Sequence, residues 1–94
     1  MSSVPRAREA APGVACLTLS RLVNVALLDD GDGRWWLVDT GTRRHFDAIR
    51  RAADARFGTP PEAILLTHGR PDHAGSALAL AAYWNVPVRV ARAE

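Results

Sequence analysis

Lysine is absent from this 94-residue sequence, and cysteine, aromatic residues and long apolar runs are scarce. The twelve basic residues are all arginine and are mixed with ten acidic residues, so they do not form the basic stripe of a nucleic-acid-binding protein. The single cysteine, Cys16, excludes an intramolecular disulfide and a cysteine-based zinc cluster. No run approaches the ~20 apolar residues of a membrane-spanning helix, and no signal peptide is expected. These absences predict a cytoplasmic protein with no nucleic-acid or membrane partner.

The composition indicates one folded domain. Hydrophobic residues make up 48% and charged residues 23% of the chain, as in ordinary globular proteins. Residues 1–12 are small, polar and proline-containing, and we expect them to form a flexible arm. The domain is then predicted to span residues 13–94.

Three strand-like runs come first, at residues 14–19, 23–28 and 35–38. The Asp-Gly pairs at 29–33 are a hairpin signal between apolar runs. The second and third strands are therefore expected to pair antiparallel.

Residues 42–57 and 74–84 have the three- and four-residue apolar spacing of amphipathic helices. The inward face of the first is predicted to comprise Phe46, Ile49, Ala53 and Phe57. The second is expected to pack inward through Leu78, Ala81 or Ala82, and Trp84. Apolar runs at 63–66 and 86–91 complete an α/β fold of order β-β-β-α-β-α-β, in which strands joined through a helix pair in parallel.

Candidate metal ligands are concentrated in residues 62–76, where an apolar strand ends in a polar loop. His68, Asp72 and His73 offer two imidazole nitrogens and a carboxylate, a donor set that suits zinc and its first-row neighbours. A loop can aim Asp72 and His73 toward one point, whereas a regular helix would not. The same residues allow a simpler interpretation, in which Asp72 caps the next helix and the histidines have no ligand role.

A second carboxylate, Asp39, ends the strand at 35–38 and precedes Thr40 and Gly41. Its position after a buried strand is typical of a site-forming residue, although it also suits a residue that only shapes the turn. His45 lies among arginines near the start of a helix, and we expect it to be a solvated residue and not a ligand.

Residues 67–75 read THGRPDHAG and resemble the metallo-β-lactamase-fold signature Thr-His-x-His-x-Asp-His. The segment 39–41, Asp-Thr-Gly, resembles the element that this family places before its histidines. Arg70 stands where the family has its second histidine. The resemblance implies the amino-terminal half of an αββα sandwich, so the chain is expected to be a fragment or a truncated member.

The resemblance also implies a metal-dependent hydrolase of ester, thioester, amide or phosphodiester bonds in a small-molecule substrate. It assigns His68 to a first zinc ion, and Asp72 and His73 to a second, with iron or manganese as alternatives. Asp72 is also the implied catalytic residue, and Asp39 is expected to orient the ligands from the outer shell. A guanidinium has no free lone pair, so Arg70 is predicted to weaken or abolish the first site. The resemblance also implies further ligands that this chain lacks, so its activity alone is expected to be impaired.

A different class of function is a non-catalytic α/β module that binds an anionic ligand or a partner through Arg70, because guanidinium recognises carboxylate and phosphate. A dinucleotide-binding domain is disfavoured, since no glycine-rich fingerprint follows any strand. A half-sandwich would expose an apolar sheet face. The predicted partners are therefore a second copy of the chain or a complementing carboxyl-terminal half.

Overall fold

The computed structural model describes the backbone of residues 7–20, 23–67 and 71–90. Within these ranges, six strands form one mixed sheet in the order β1-β2-β3-β4-β5-β6. The strands are β1 (Arg8–Ala11), β2 (Val14–Ser20), β3 (Val23–Asp29), β4 (Trp35–Val38), β5 (Ile64–Leu66) and β6 (Val88–Val90). The α-helices are α1 (Phe46–Arg56), which follows a short 3-10 helix (Arg43–His45), and α2 (Pro71–Trp84). The predicted α/β class is confirmed.

Strand β1 corrects the expectation of a flexible arm over residues 1–12. Its four residues pair antiparallel with β2, with a register shift between Glu9 and Ala11. All four are exposed, so no apolar alternation marks the strand in the sequence. Bulges and short edge strands are common at sheet edges. Residues 1–6 lie outside the described part of the chain.

Strands β2, β3 and β4 form an antiparallel meander, in which the pairing of β3 with β4 was predicted. In the turn that joins β3 to β4, the Asp30 carboxylate accepts hydrogen bonds from the backbone N–H groups of Asp32 (2.8 Å) and Arg34 (3.2 Å). The pKa of Asp30 is lowered, mainly by the hydrogen bond from the Asp32 N–H and further by the Arg34 guanidinium and N–H. The hairpin inferred from the Asp-Gly pairs is confirmed.

Strands β4, β5 and β6 pair in parallel, as predicted for strands joined through helices. Each crossover advances one strand in the same direction, so right-handed connections place α1 and α2 on one face of the sheet. Alternate strand residues are buried on that face: Ala15, Leu17, Val25, Leu27, Trp35, Leu37, Ile64 and Leu66. The helices contribute Ile49, Ala52, Ala53, Ala77, Leu80 and Trp84 to the same cluster.

Trp35 is the largest fully buried side chain among the described residues. It stacks on Phe57 (ring centroids 4.4 Å apart) and meets the edge of Trp84 (5.6 Å). Its Nε1–H donates to the backbone carbonyl of Thr59 (2.8 Å). The cluster thus joins the first strand of the parallel half to the ends of both α-helices.

Helix α2 differs from its prediction in start and in phase. It begins at Pro71 instead of Ala74, and proline is favoured at a first helical position because its missing N–H would be unpaired there anyway. Leu78 is 67% exposed, so its predicted inward packing is wrong, whereas Leu80 and Trp84 are buried. Ala81 is half-buried and Ala82 exposed. Neither α1 nor α2 is long and apolar enough to cross a membrane, as far as the described residues extend.

The opposite face of the sheet carries a row of half-buried apolar residues. Cys16, Ala26, Val38 and Leu65 follow one another in register across β2, β3, β4 and β5. Helices α1 and α2 lie on the other face. Across the described ranges, no helix covers this row, which is the face that the half-sandwich interpretation expects to be exposed.

Candidate functional site

The carboxyl ends of β4 and β5 meet at Asp39 and Thr67. The Asp39 Oδ1 atom accepts hydrogen bonds from the Thr67 N–H (2.9 Å) and the Thr67 hydroxyl (3.0 Å), which also lies 2.9 Å from Oδ2. The Asp39 N–H donates to the Leu65 carbonyl (2.7 Å). Asp39 therefore links two neighbouring strand ends, at the sheet edge where α/β proteins usually bind ligands.

Asp39 adopts a left-handed backbone with φ of 65°. Among residues with a side chain, Asp and Asn visit this region most readily, because their short polar groups can form local hydrogen bonds. The next two residues are Thr40, which is fully buried, and Gly41, which also has positive φ (62°). The sharp turn after β4 therefore suits the Asp-Thr-Gly sequence and aims the Asp39 carboxylate at β5.

The predicted ligands begin one residue after Thr67. His68 and Arg70 lie outside the described residues. Asp72 and His73 lie in the first turn of α2, so the expectation that they belong to the loop after β5 is wrong. Their roles as metal ligands remain predictions.

The donor set fits zinc in its chemistry, since two imidazoles and a carboxylate are common zinc ligands. The described side chains contain no cluster of three such ligands. The hydrogen bonds between Asp39 and Thr67 nevertheless fix the backbone one residue before His68. This strand end directly precedes His68, the first predicted ligand.

His45 is half-buried and helps to begin the first helical segment. Its Nδ1 accepts a hydrogen bond from the Thr42 N–H (3.0 Å) and lies 3.1 Å from the Thr42 hydroxyl. An acceptor Nδ1 requires the neutral ring. The pKa of His45 is lowered, mainly by burial and to a lesser extent by the positive charge of Arg44. The expectation of a solvated residue missed this role, although the Thr-x-x-His spacing resembles a capping box and could have indicated it.

A second polar cluster lies at the other end of the parallel strands. The Asp54 carboxylate accepts hydrogen bonds from the Tyr83 hydroxyl (2.8 Å) and the Trp84 Nε1–H (3.3 Å). These residues line an open cavity of about 380 Å³ together with Thr59 and Pro60. Because the polar groups bond to one another, we interpret the cluster as a connection between α1 and α2.

Residues 20–94 match the model of the Metallo-beta-lactamase superfamily, and the chain belongs to this family. It is 44% identical over 66 residues to the probable metallo-hydrolase YybB of Bacillus subtilis (strain 168), a match that covers 70% of this chain and 29% of YybB. It is 36% identical over 86 residues to the probable metallo-hydrolase YflN of the same organism, with coverages of 87% and 32%. The chain thus spans about a third of the length of these curated relatives. The predicted family is confirmed.

Solved structures of a HARLDQ-motif metallo-beta-lactamase from Cronobacter sakazakii (Enterobacter sakazakii) have the same fold. One has a TM-score of 0.70 and 28% identity, over 82% of this chain and 30% of that chain. A variant of it has a TM-score of 0.75 and 25% identity, with coverages of 88% and 33%, and carries histidine in place of an arginine, a glutamine and a lysine. Written beside HARLDQ, residues 68–73 (HGRPDH) share the first histidine, the arginine and the aspartate. They differ at the other three positions, the last of which is His73 in this chain.

Proposed function

We propose that this chain supplies the amino-terminal metal-binding segment of a zinc-dependent hydrolase. The observation that carries the proposal is the ordered link between Asp39 and Thr67, which places a carboxylate at the carboxyl ends of two parallel strands, directly before His68. Family membership and the metallo-hydrolase relatives support the same reaction class. The proposed substrate is a small molecule with an ester, thioester, amide or phosphodiester bond.

Each ligand has a proposed role. His68 would hold a first ion, and Asp72 and His73 a second, with Asp72 also contacting the reacting groups. Zinc is the proposed metal, and iron or manganese are alternatives for the same donors. A bound ion supplies a hydroxide at neutral pH and stabilises charge on the substrate oxygen. Asp39 does not bind the ion itself but orients the ligand segment through its hydrogen bonds to Thr67.

Arg70 weakens the proposed first site, because a fixed cation repels a metal ion and guanidinium cannot coordinate one. An arginine at this spacing also occurs in the HARLDQ motif of the Cronobacter metallo-beta-lactamase. The substitution is therefore not confined to this chain. The alternative function, a non-catalytic module that binds an anion through Arg70, rests on the same residue.

We further propose that the complete catalytic unit contains more than this chain, which would then represent a truncated part of it. A complementing carboxyl-terminal half, or a second copy, would cover the row formed by Cys16, Ala26, Val38 and Leu65. The support is that the relatives are about three times longer than the matched region and that the row lies opposite the helices. The free thiol of Cys16 suits the reducing cytoplasm, our proposed location.

Hydrolysis by the zinc-loaded chain tests the proposed reaction. Chromogenic ester, thioester, amide and phosphodiester substrates would be assayed with and without a chelator. We expect weak hydrolysis of one class that the chelator abolishes. Arg70→His should raise this rate, because it supplies the missing imidazole ligand.

Arg89→His is the matched control, since Arg89 is an exposed arginine on β6. It should leave the rate unchanged. Chelator-independent rates that are equal in all three proteins would contradict the hydrolase proposal. Phosphate binding that is lost in Arg70→His alone would then favour the anion-binding module.

A further inference from the structure

We infer that Thr67 is a positioning residue for the proposed metal centre. Its hydroxyl group locks the carboxylate of Asp39 and thereby fixes the direction in which β5 delivers the next residue, His68. The effect on metal binding rests on the proposed function. The hydrogen-bond geometry involves only residues that the structure describes.

One residue occupies both oxygens of the Asp39 carboxylate. The Thr67 N–H bonds to Oδ1, and the single hydroxyl proton of Thr67 is shared between Oδ1 (3.0 Å) and Oδ2 (2.9 Å). A contact to one oxygen would leave the carboxylate plane free to rotate. Contacts to both oxygens from one side chain and its own backbone fix the plane of Asp39 and the orientation of Thr67 together.

The Asp39 end of this connection is itself held firmly. Its backbone is left-handed, with φ of 65°, and its N–H is bonded to the Leu65 carbonyl at 2.7 Å. Leu65 and Thr67 are two residues apart on the same strand end. Asp39 therefore forms hydrogen bonds to this strand end through both its backbone N–H and its carboxylate. The carboxylate contact, at Thr67, lies next to the predicted ligands.

Threonine suits this position better than the shape-matched valine or the smaller serine. Its β-branch restricts the rotation of χ1, so the hydroxyl stays directed at Asp39. Thr67 is exposed, and exposed hydrogen bonds add little to folding stability because water competes for them. The structural consequence of the hydroxyl is therefore local direction, not global stability.

The test compares Thr67→Val, which removes the hydroxyl but keeps the shape and the N–H, with Thr67→Ser, which keeps the hydroxyl. Zinc affinity would be measured by competition with a chromophoric chelator. Amide hydrogen exchange of residues 66–75 would be measured in the metal-free chain. Loss of an outer-shell partner typically weakens metal binding about 10- to 100-fold, and we expect this loss, with faster exchange, in Thr67→Val alone.

Thr18→Val is the matched control, because the exposed Thr18 hydroxyl donates to the Asn24 side chain (2.8 Å) on the distant β2–β3 ladder. It should leave zinc affinity and exchange at 66–75 unchanged. Wild-type zinc affinity and exchange in Thr67→Val would overturn the role of Thr67 without contradicting the proposed metal centre. If the wild-type chain binds no zinc, the proposed function fails, and unchanged exchange in Thr67→Val would separately overturn the inference.

Discussion

His45 shows how one side chain can make a helix start sensitive to pH. Its Nδ1 accepts the Thr42 N–H, and only the unprotonated nitrogen can do so. The folded chain therefore favours the neutral ring, in agreement with the lowered pKa that burial and Arg44 produce. Protonation would remove this acceptor, which lies four residues after Gly41 of the Asp-Thr-Gly turn.

We predict that the free energy of unfolding falls in acid because of His45. The pKa in the folded chain lies below the ordinary value of 6.5, so the unfolded chain binds the proton first as the pH falls. The stability is fully present above pH 6.5 and decreases as the pH falls from there through the pKa of the folded chain. Urea unfolding between about pH 8 and pH 5 measures this change.

His45→Gln provides the comparison for this prediction, because its amide oxygen can accept the Thr42 N–H but does not titrate. The difference between the two proteins removes the contributions of His68, His73 and the carboxylates. We expect a shallower fall in the stability of His45→Gln. Parallel pH profiles for the two proteins would contradict the role of His45.

Individual residues of the site could be predicted to different degrees from the sequence. Asp39 was identified because a carboxylate at the end of a buried strand, followed by threonine and glycine, is a local pattern. Its partner Thr67 lies 28 residues away, and only the parallel pairing of β4 and β5 brings the two together. The role of His45 was missed because its aromatic ring occupies a capping position that glutamate or glutamine usually fills.

At the scale of elements, Asp54 connects the two α-helices. Its carboxylate accepts hydrogen bonds from Tyr83 and Trp84 of α2, and Arg50 of α1 lies over the Tyr83 ring at 5.6 Å. Trp84 is 7% exposed, and its ring packs against Trp35. Loss of Asp54 would leave the indole N–H of a buried tryptophan without its acceptor.

We predict that Asp54→Ala destabilises the chain by about 1–3 kcal/mol, the usual cost of breaking hydrogen bonds to a charged group and leaving a donor unpaired. Asp47→Ala is the control on the same helix. Asp47 is exposed and, among the described residues, pairs with Arg50 (2.7 Å) and Arg51 (3.7 Å); its loss should lower stability much less, because water screens exposed ion pairs. Urea denaturation measures both. Equal losses in the two variants would show that Asp54 does not connect the helices.

The order of the elements could be predicted from the sequence better than which face of each element packs against the core. Residues 74–84 are almost uniformly apolar, so the sequence does not indicate which face points inward. Leu78 was consequently assigned to the core in place of Leu80. Strand β1 left no trace in the pattern because its residues are exposed and backbone hydrogen bonds to β2 hold it in place.

At the scale of the whole molecule, the fold is asymmetric. Both α-helices cover one face of the sheet, while the row of Cys16, Ala26, Val38 and Leu65 lies on the other. In the register of the strands this row continues to Arg8 at one edge and Arg89 at the other. Both edges of this row therefore carry a positively charged side chain.

The family could be predicted from two short motifs because metal ligands and tight turns demand particular residues at particular spacings. The same motifs did not predict that α2 begins at Pro71 and so includes Asp72 and His73. Proline is favoured at a first helical position, so the polar residues at 71–73 suit a helix start as well as a loop.

The metal content of the purified chain after dialysis, determined by elemental mass spectrometry, tests the central claim most directly. The chain, His73→Ala and Arg70→His would be compared after the same exposure to zinc. We predict that the unmodified chain retains a sub-stoichiometric to single equivalent of zinc, that His73→Ala retains none, and that Arg70→His retains more. A chain that is as free of zinc as His73→Ala, with no gain in Arg70→His, would contradict the metal centre proposed at the ends of β4 and β5.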